Sequence, residues 1–115
     1  MRTLKTVSYA ILLFALMPVA QAMDGNELLA EYHSYLNIKG GTASAADAYA
    51  GGLFDGYVSG VFHTSVGIVL CAPNEVKNGH IQAVVGRFLE DQPTILHRSA
   101  VLLTTQALMK TFPCK

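Results

Sequence analysis

The side chains with the most chemical reach are His33, His63, His80 and His97, the two cysteines Cys71 and Cys114, and Asp55, an acid set inside an apolar stretch. Zinc sites usually show ligand pairs a few residues apart, and no histidine here has a second histidine or cysteine three or four positions away. The four histidines therefore read as structural or surface groups, and no metal is assigned. The sequence holds no G-x-S-x-G elbow, no H-E-x-x-H, no phosphate loop and no dinucleotide fingerprint. It is read as a non-enzyme with no catalytic residues and no cofactor, because a hydrolase would need a nucleophile beside a base. Asp55 precedes Gly56 and lies four residues before Ser59. It is expected to face solvent beside that serine, the alternative being a buried carboxylate bonded to a tyrosine or histidine. Tyr32, Tyr35, Tyr49 and Tyr57 read as core residues.

The compartment decides what the cysteines do. Arg2 and Lys5, an apolar run over 10–16 and the small-x-small site Ala20-Gln21-Ala22 make residues 1–22 a secretory signal peptide. The apolar stretch 9–19 has 11 residues, against about 20 for a spanning helix. Removing 22 residues from 115 leaves 93, a single domain over 23–115 located in the periplasm with no membrane span after cleavage. Six basic residues (Lys39, Lys77, Arg87, Arg98, Lys110, Lys115) against eight acids give this part a net charge of −2. That is no footprint for nucleic acid or anionic lipid. In an oxidising compartment Cys71 and Cys114 are expected to join. With 42 residues between them, the chain-entropy model gives the bond roughly 4 kcal/mol.

The elements that carry these residues read as helices. Leu28, Leu29, Tyr32, Tyr35 and Leu36 recur at helical spacing after Asp24, a cap, and before Gly40-Gly41, which predicts a first helix over 25–37. Ser44 to Asp47 resembles a capping box. A long apolar helix follows over 45–70, with Tyr49, Leu53, Tyr57, Val61, Ser65 and Ile68 near one stripe and Gly52, Gly56 and Gly60 on the next. Glycine costs a helix interior about 1 kcal/mol relative to alanine, so this register asks for a close backbone contact: a helix-packing face in the chain or a dimer face. Ile81, Val84, Val85, Phe88 and Leu89 mark an amphipathic helix over 79–91. A last one, capped by Ser99 and apolar at Ala100, Leu103, Ala107 and Leu108, runs to about Thr111. The fold class is all-α, a small domain of four to five helices closed by one disulfide.

Physics stops at an exported helical binding domain. The stretches Asp24-Gly25-Asn26-Glu27-Leu28-Leu29, Gly56-Tyr57-Val58-Ser59-Gly60-Val61, Cys71-Ala72-Pro73, Val84-Val85-Gly86-Arg87-Phe88-Leu89, Gln92-Pro93, Ala107-Leu108 and Phe112-Pro113-Cys114 span nearly the whole of 23–115. Together they resemble the Rap/Tai family, immunity proteins that protect bacteria against type VI secretion peptidoglycan amidases. The resemblance implies an all-helical periplasmic amidase inhibitor, often a homodimer, that blocks the substrate cleft of a cysteine-histidine amidase effector. Many members carry another cysteine pair near Tyr32 and Phe54, and this chain has neither cysteine.

An inhibitor of a peptide-binding cleft must offer polar groups on rigidly held loops. Two connections qualify: 73–80 with Glu75, Lys77, Asn78 and His80, and 91–98 with Gln92, Thr94 and His97. The competing function is a periplasmic acid-stress chaperone of the small helical single-disulfide type, which would expose apolar surface as acid breaks its dimer.

Overall fold

The computed structural model describes residues 22–115; the signal peptide reading of 1–22 falls, Ala22 apart, outside them. Four helices and no strand are present among the described residues: α1 Gly25–Lys39, α2 Ala45–Ser65, α3 Asn78–Asp91 and α4 Ala100–Thr111.

The capping box predicted at Ser44–Asp47 forms, and the cap expected at Asp24 is part of a second full box with Glu27. Asp24 Oδ1 accepts from the Glu27 amide and Glu27 Oε2 accepts from the Asp24 amide, each at 3.0 Å. Ser44 and Asp47 exchange the same two bonds at 3.1 Å. Asn37 Nδ2 also donates to Asp47 Oδ2 at 3.2 Å, which ties the end of α1 to the start of α2. These bonds occupy amide donors that a helix start leaves free. They also hold the Asp47 carboxyl below the usual range, the Ser44 amide contributing most.

The second helix is shorter than the expected 45–70. It ends at Ser65, Val66 is extended, and Gly67 takes φ +81°, a left-handed conformation that no α-helix continues. The Gly67 amide donates to the Leu70 carbonyl at 2.7 Å, so 66–70 folds into a tight turn that buries Leu70. Ser99 makes no side-chain cap bond to α4. Its backbone instead bridges to Asp24.

The core-facing stripe of α2 also differs from expectation. Gly51, Phe54, Val58 and Phe62 are buried, whereas Tyr49 is 72% exposed and Ile68 77%. The reason lies at Gly51, where a Cβ would stand 2.8 Å from the Tyr35 Cα, so α2 presses on α1 along that line. Tyr32 and Phe54 pack there with tilted rings, their centroids 5.1 Å apart. The Gly86 face of α3 lies directly on the Tyr32 ring. The core is completed by Leu28, Ile81, Val85 and Leu89 with Ala100, Leu103, Ala107 and Leu108, as the periodicity predicted.

The disulfide joins Cys71 to Cys114, with Cα atoms 4.8 Å apart. The Cys71 amide donates to the Phe112 carbonyl at 2.9 Å, so the chain end lies against the segment that leaves α2.

Two predictions follow from this packing. Cys114→Ser lowers stability by about 2–4 kcal/mol, read by denaturant unfolding with thiol counting as the check on pairing. Gly86→Ala costs about 1–3 kcal/mol by overpacking against Tyr32, whereas Gly56→Ala, in open space, gains up to about 1 kcal/mol; the two shifts of midpoint have opposite signs.

Candidate functional site

The candidate partner-binding surface begins with the connection that leaves the disulfide. Glu75 lies in a turn, Lys77 is the residue before α3, and Asn78 and His80 open that helix; all four are exposed. Lys77 cannot cap α3, its ammonium having no acceptor, and it is in no ion pair among the described residues. The segment is held at its root by the disulfide and at its end by the Lys77 carbonyl, which accepts from the His80 amide at 3.0 Å. The His80 ring stands edge-on to Phe112 at 5.9 Å, and Phe112 is edge-on to Phe62 at 6.0 Å. Beside them a pocket of about 250 Å³ is lined by His63, Val66, Ala72, Pro73 and Val76 among others.

The other connection sits elsewhere. Gln92 closes α3 and is half-buried, while Thr94 and His97 are exposed. This loop is fastened to the start of α1: the Gly25 amide donates to the Arg98 carbonyl at 3.0 Å and the Asn26 amide to that of Leu96 at 3.1 Å. The 14 residues of α3 separate the two loops, a helix length of about 20 Å. They do not converge on one site.

Asp55 is exposed, as expected, but it is not alone with Ser59. Gln82, fully buried on α3, donates through Nε2 to the Asp55 carboxylate and to Ser59 Oγ at 3.1 Å. This cross-brace between α2 and α3 was invisible in the sequence because its members lie 27 and 23 positions apart. The spacing of Asp55 and Ser59, four apart on one helix face, was the available signal. Asp55 also acts on Tyr35, whose phenol is pushed up by burial first and by that charge second.

Gly52, Gly56 and Gly60 face open space; no atom of the chain lies within 4 Å of where their Cβ would stand, helical backbone neighbours aside. Of the two contacts expected of them, in-chain packing and a dimer face, the first is not made among the described residues and falls on Gly51, one position away. Gly52 and Gly56, but not Gly60, line a groove of about 400 Å³ between α1 and α2, together with Met23, Glu31, Leu53 and Tyr57. Sequence reasoning missed Glu31. Its Oε2 is shut off from solvent and has no hydrogen-bond partner. Burial, and secondarily the charge of Glu27, pushes its carboxyl above the ordinary range. The Tyr57 phenol is pushed up in turn, by burial and then by Glu31. The signal in the sequence was an acid flanked by Leu28, Leu29, Tyr32 and Tyr35 on a helix with few other charges.

Of the histidines, His33 lies 3.6 Å from Glu90 on the surface, and His63 packs edge-on against Phe62. Among the described residues there is no group of three or more side chains that could hold a metal ion, and no helix is long and apolar enough to cross a membrane.

Comparison with known proteins adds one match. The family model described as Rap1a immunity proteins covers residues 24–114, almost the whole of the described chain. No curated protein matches.

The state of Glu31 gives a prediction of sign. A carboxyl whose folded pKa is raised weakens the fold while it is ionised, and the penalty disappears as pH falls through the folded value toward the ordinary glutamate range. Glu31→Gln is therefore expected to raise the melting temperature at neutral pH and to leave it unchanged in acid. A lower melting temperature at neutral pH would show that Glu31 is favourably paired.

Proposed function

The chain belongs to the Rap1a immunity protein family, and from that footing we propose that it is a periplasmic immunity protein that binds and sterically inhibits a peptidoglycan amidase effector delivered by type VI secretion. The family supports an effector-immunity role, and such a role needs binding rather than catalysis. The amidase as target and the periplasm as compartment rest on the resemblance of the motifs and on the export signal at 1–22.

The observation that carries the reading is the rigid root of the 73–80 segment. A peptide-binding cleft is lined with hydrogen-bonding groups that an inhibitor must satisfy again. Glu75, Lys77, Asn78 and His80 offer donors and acceptors on backbone fixed at one end by a disulfide and at the other by a helix. Fixing the loop beforehand lowers the ordering cost of association. The 91–98 segment, with Gln92, Thr94 and His97, lies at the other end of α3, about 20 Å away, so it would meet the enzyme only at the edge of a contact of ordinary width. The acid-chaperone alternative asks for a fold that loosens as pH falls, whereas relief of the Glu31 penalty works in the opposite direction.

Co-expression in the periplasm with a neighbouring secreted amidase provides the test. The protein is expected to prevent lysis and to co-purify with the enzyme. Reversing charge at Glu75 and Lys77 together is expected to weaken protection at least about tenfold, the scale of one charged hydrogen bond, with melting unchanged. Lysis unrelieved by the wild type, with no complex recovered from any candidate amidase, would overturn the reading.

A further inference from the structure

The groove between α1 and α2 has a composition that selects its occupant. Its walls are apolar at Met23, Leu53 and Tyr57, its floor is open at Gly52 and Gly56, and it carries a single ionisable acid, Glu31. Leu53 is 44% exposed, so the apolar wall is available to another molecule. Buried polar atoms in native proteins are nearly always bonded. Glu31 Oε2 is buried and unbonded, and among the described residues the ion pair present is His33 with Glu90, none involving Glu31. Cleavage after Ala22 would leave an α-ammonium on Met23, which lines the same groove.

We propose that this groove receives a lysine or arginine side chain presented by the effector, its aliphatic stem lying on Leu53, Met23 and the glycine floor and its cationic head meeting the Glu31 carboxylate. The proposal rests on the reading of the protein as an effector-binding immunity protein. It adds a second contact, distinct from the 73–80 segment.

Three properties favour a basic side chain over other occupants. Long basic side chains bury their methylenes along apolar surface while the head seeks a polar partner, which matches an apolar groove with one acid. A cation also relieves the cost of ionising Glu31, because an opposite charge nearby favours the charged carboxylate. Tyr57 lines the same groove, and an aromatic ring attracts a cation that settles over its face. An anionic partner would meet only Glu31 and, one turn away on α1, Glu27. The glycines matter because a side chain at either position would project into the space the stem occupies.

The first experiment needs no effector. Isotope-labelled, disulfide-bonded protein is titrated with n-butylguanidinium, with n-butanol and with n-butyrate, and the amides of Gly52 and Gly56 and the Glu31 carboxyl are followed by NMR. Butylguanidinium is expected to shift both glycine amides and to bring the Glu31 titration down toward the ordinary range. Butanol is expected to act about tenfold more weakly, as loss of one charge-assisted hydrogen bond implies, and butyrate not at all. Glu31→Gln is expected to abolish the preference for the cation. Because the Met23 ammonium could itself meet Glu31, the titrations are made both on the cleaved chain and on one extended before Met23. A cation preference absent from both, whether through equal responses to butanol and butylguanidinium or through no response, would overturn the proposal, as would a preference that survives Glu31→Gln.

The second experiment compares wild type, Glu31→Gln and Glu31→Arg in the co-expression assay, with melting as the control for folding. Full protection by a folded Glu31→Arg variant would remove the groove from the effector contact while leaving the amidase reading intact. If the wild type fails to protect but the cation response persists, the amidase reading falls and the cation site stands. A doubled solution mass that Gly56→Leu abolishes would show that a second copy of the chain fills the groove, overturning the proposal.

Discussion

The bond between Cys71 and Cys114 fixes the second half of the molecule. It closes a loop that contains α3, α4, the link between them and residues 72–77 before α3, and the hydrogen bond from the Cys71 amide to the Phe112 carbonyl lays the chain end beside the exit from α2. Phe112 is thereby held over Phe62, and His80 over Phe112. The 73–80 segment thus starts from a covalent anchor and ends against an aromatic cluster. A domain of this size buries a modest fraction of its surface, so constraint of the unfolded chain by a disulfide matters more than it would in a larger one.

What was legible in the sequence was what depends on near neighbours. The cap at Asp24 and the box at Ser44–Asp47 depend on residues at most three apart, and the stripe Ile81, Val84, Val85, Phe88, Leu89 shows by its helical spacing around Gln82, Gly86 and Arg87, its Ile81, Val85 and Leu89 being the fully buried members. The face of α2 was not legible for the opposite reason. Its residues are nearly all apolar or glycine, so periodicity gives little contrast, and Tyr35 on another helix decides that Gly51 and not Gly52 is the contact. The end of α2 lay in one glycine whose conformation the sequence permitted but did not demand. Of the candidate site, the exposed polar loop residues were readable from composition. Glu31, Gln82 and the separation of the two loops were not, since each depends on which helices meet.

The missing second cysteine pair finds a physical counterpart. Tyr32 and Phe54 occupy the region where the family resemblance places those cysteines, and they face each other across the α1–α2 contact at 5.1 Å. Tyr35 joins them, 5.4 Å from Phe54. Aromatic pairs of this geometry contribute about 0.5–1.5 kcal/mol beyond their burial, less than a disulfide, but Gly86 then seats α3 on the Tyr32 ring. The aromatic group therefore joins three helices where a disulfide would join two.

The open glycines raise a question of balance that the fold alone does not answer. Each of Gly52, Gly56 and Gly60 costs its helix about 1 kcal/mol relative to alanine, about 3 kcal/mol together, in a class of proteins whose whole stability is about 5–15 kcal/mol. Gly51, Gly86 and Gly25 are offset by close packing inside the chain, since a Cβ at each would collide with neighbouring atoms. The three open ones gain no such contact from the chain itself. An ionised Glu31 beside Gly52 and Gly56 adds a further penalty, its carboxyl being pushed toward the neutral form by burial. Two unfavourable features on one groove, one of shape and one of charge, are both relieved by the same event: entry of an extended apolar stem with a positive end. The face of α2 that Gly52 and Gly56 leave open makes no close contact within the described chain, and it is there that shape and charge together define an occupant.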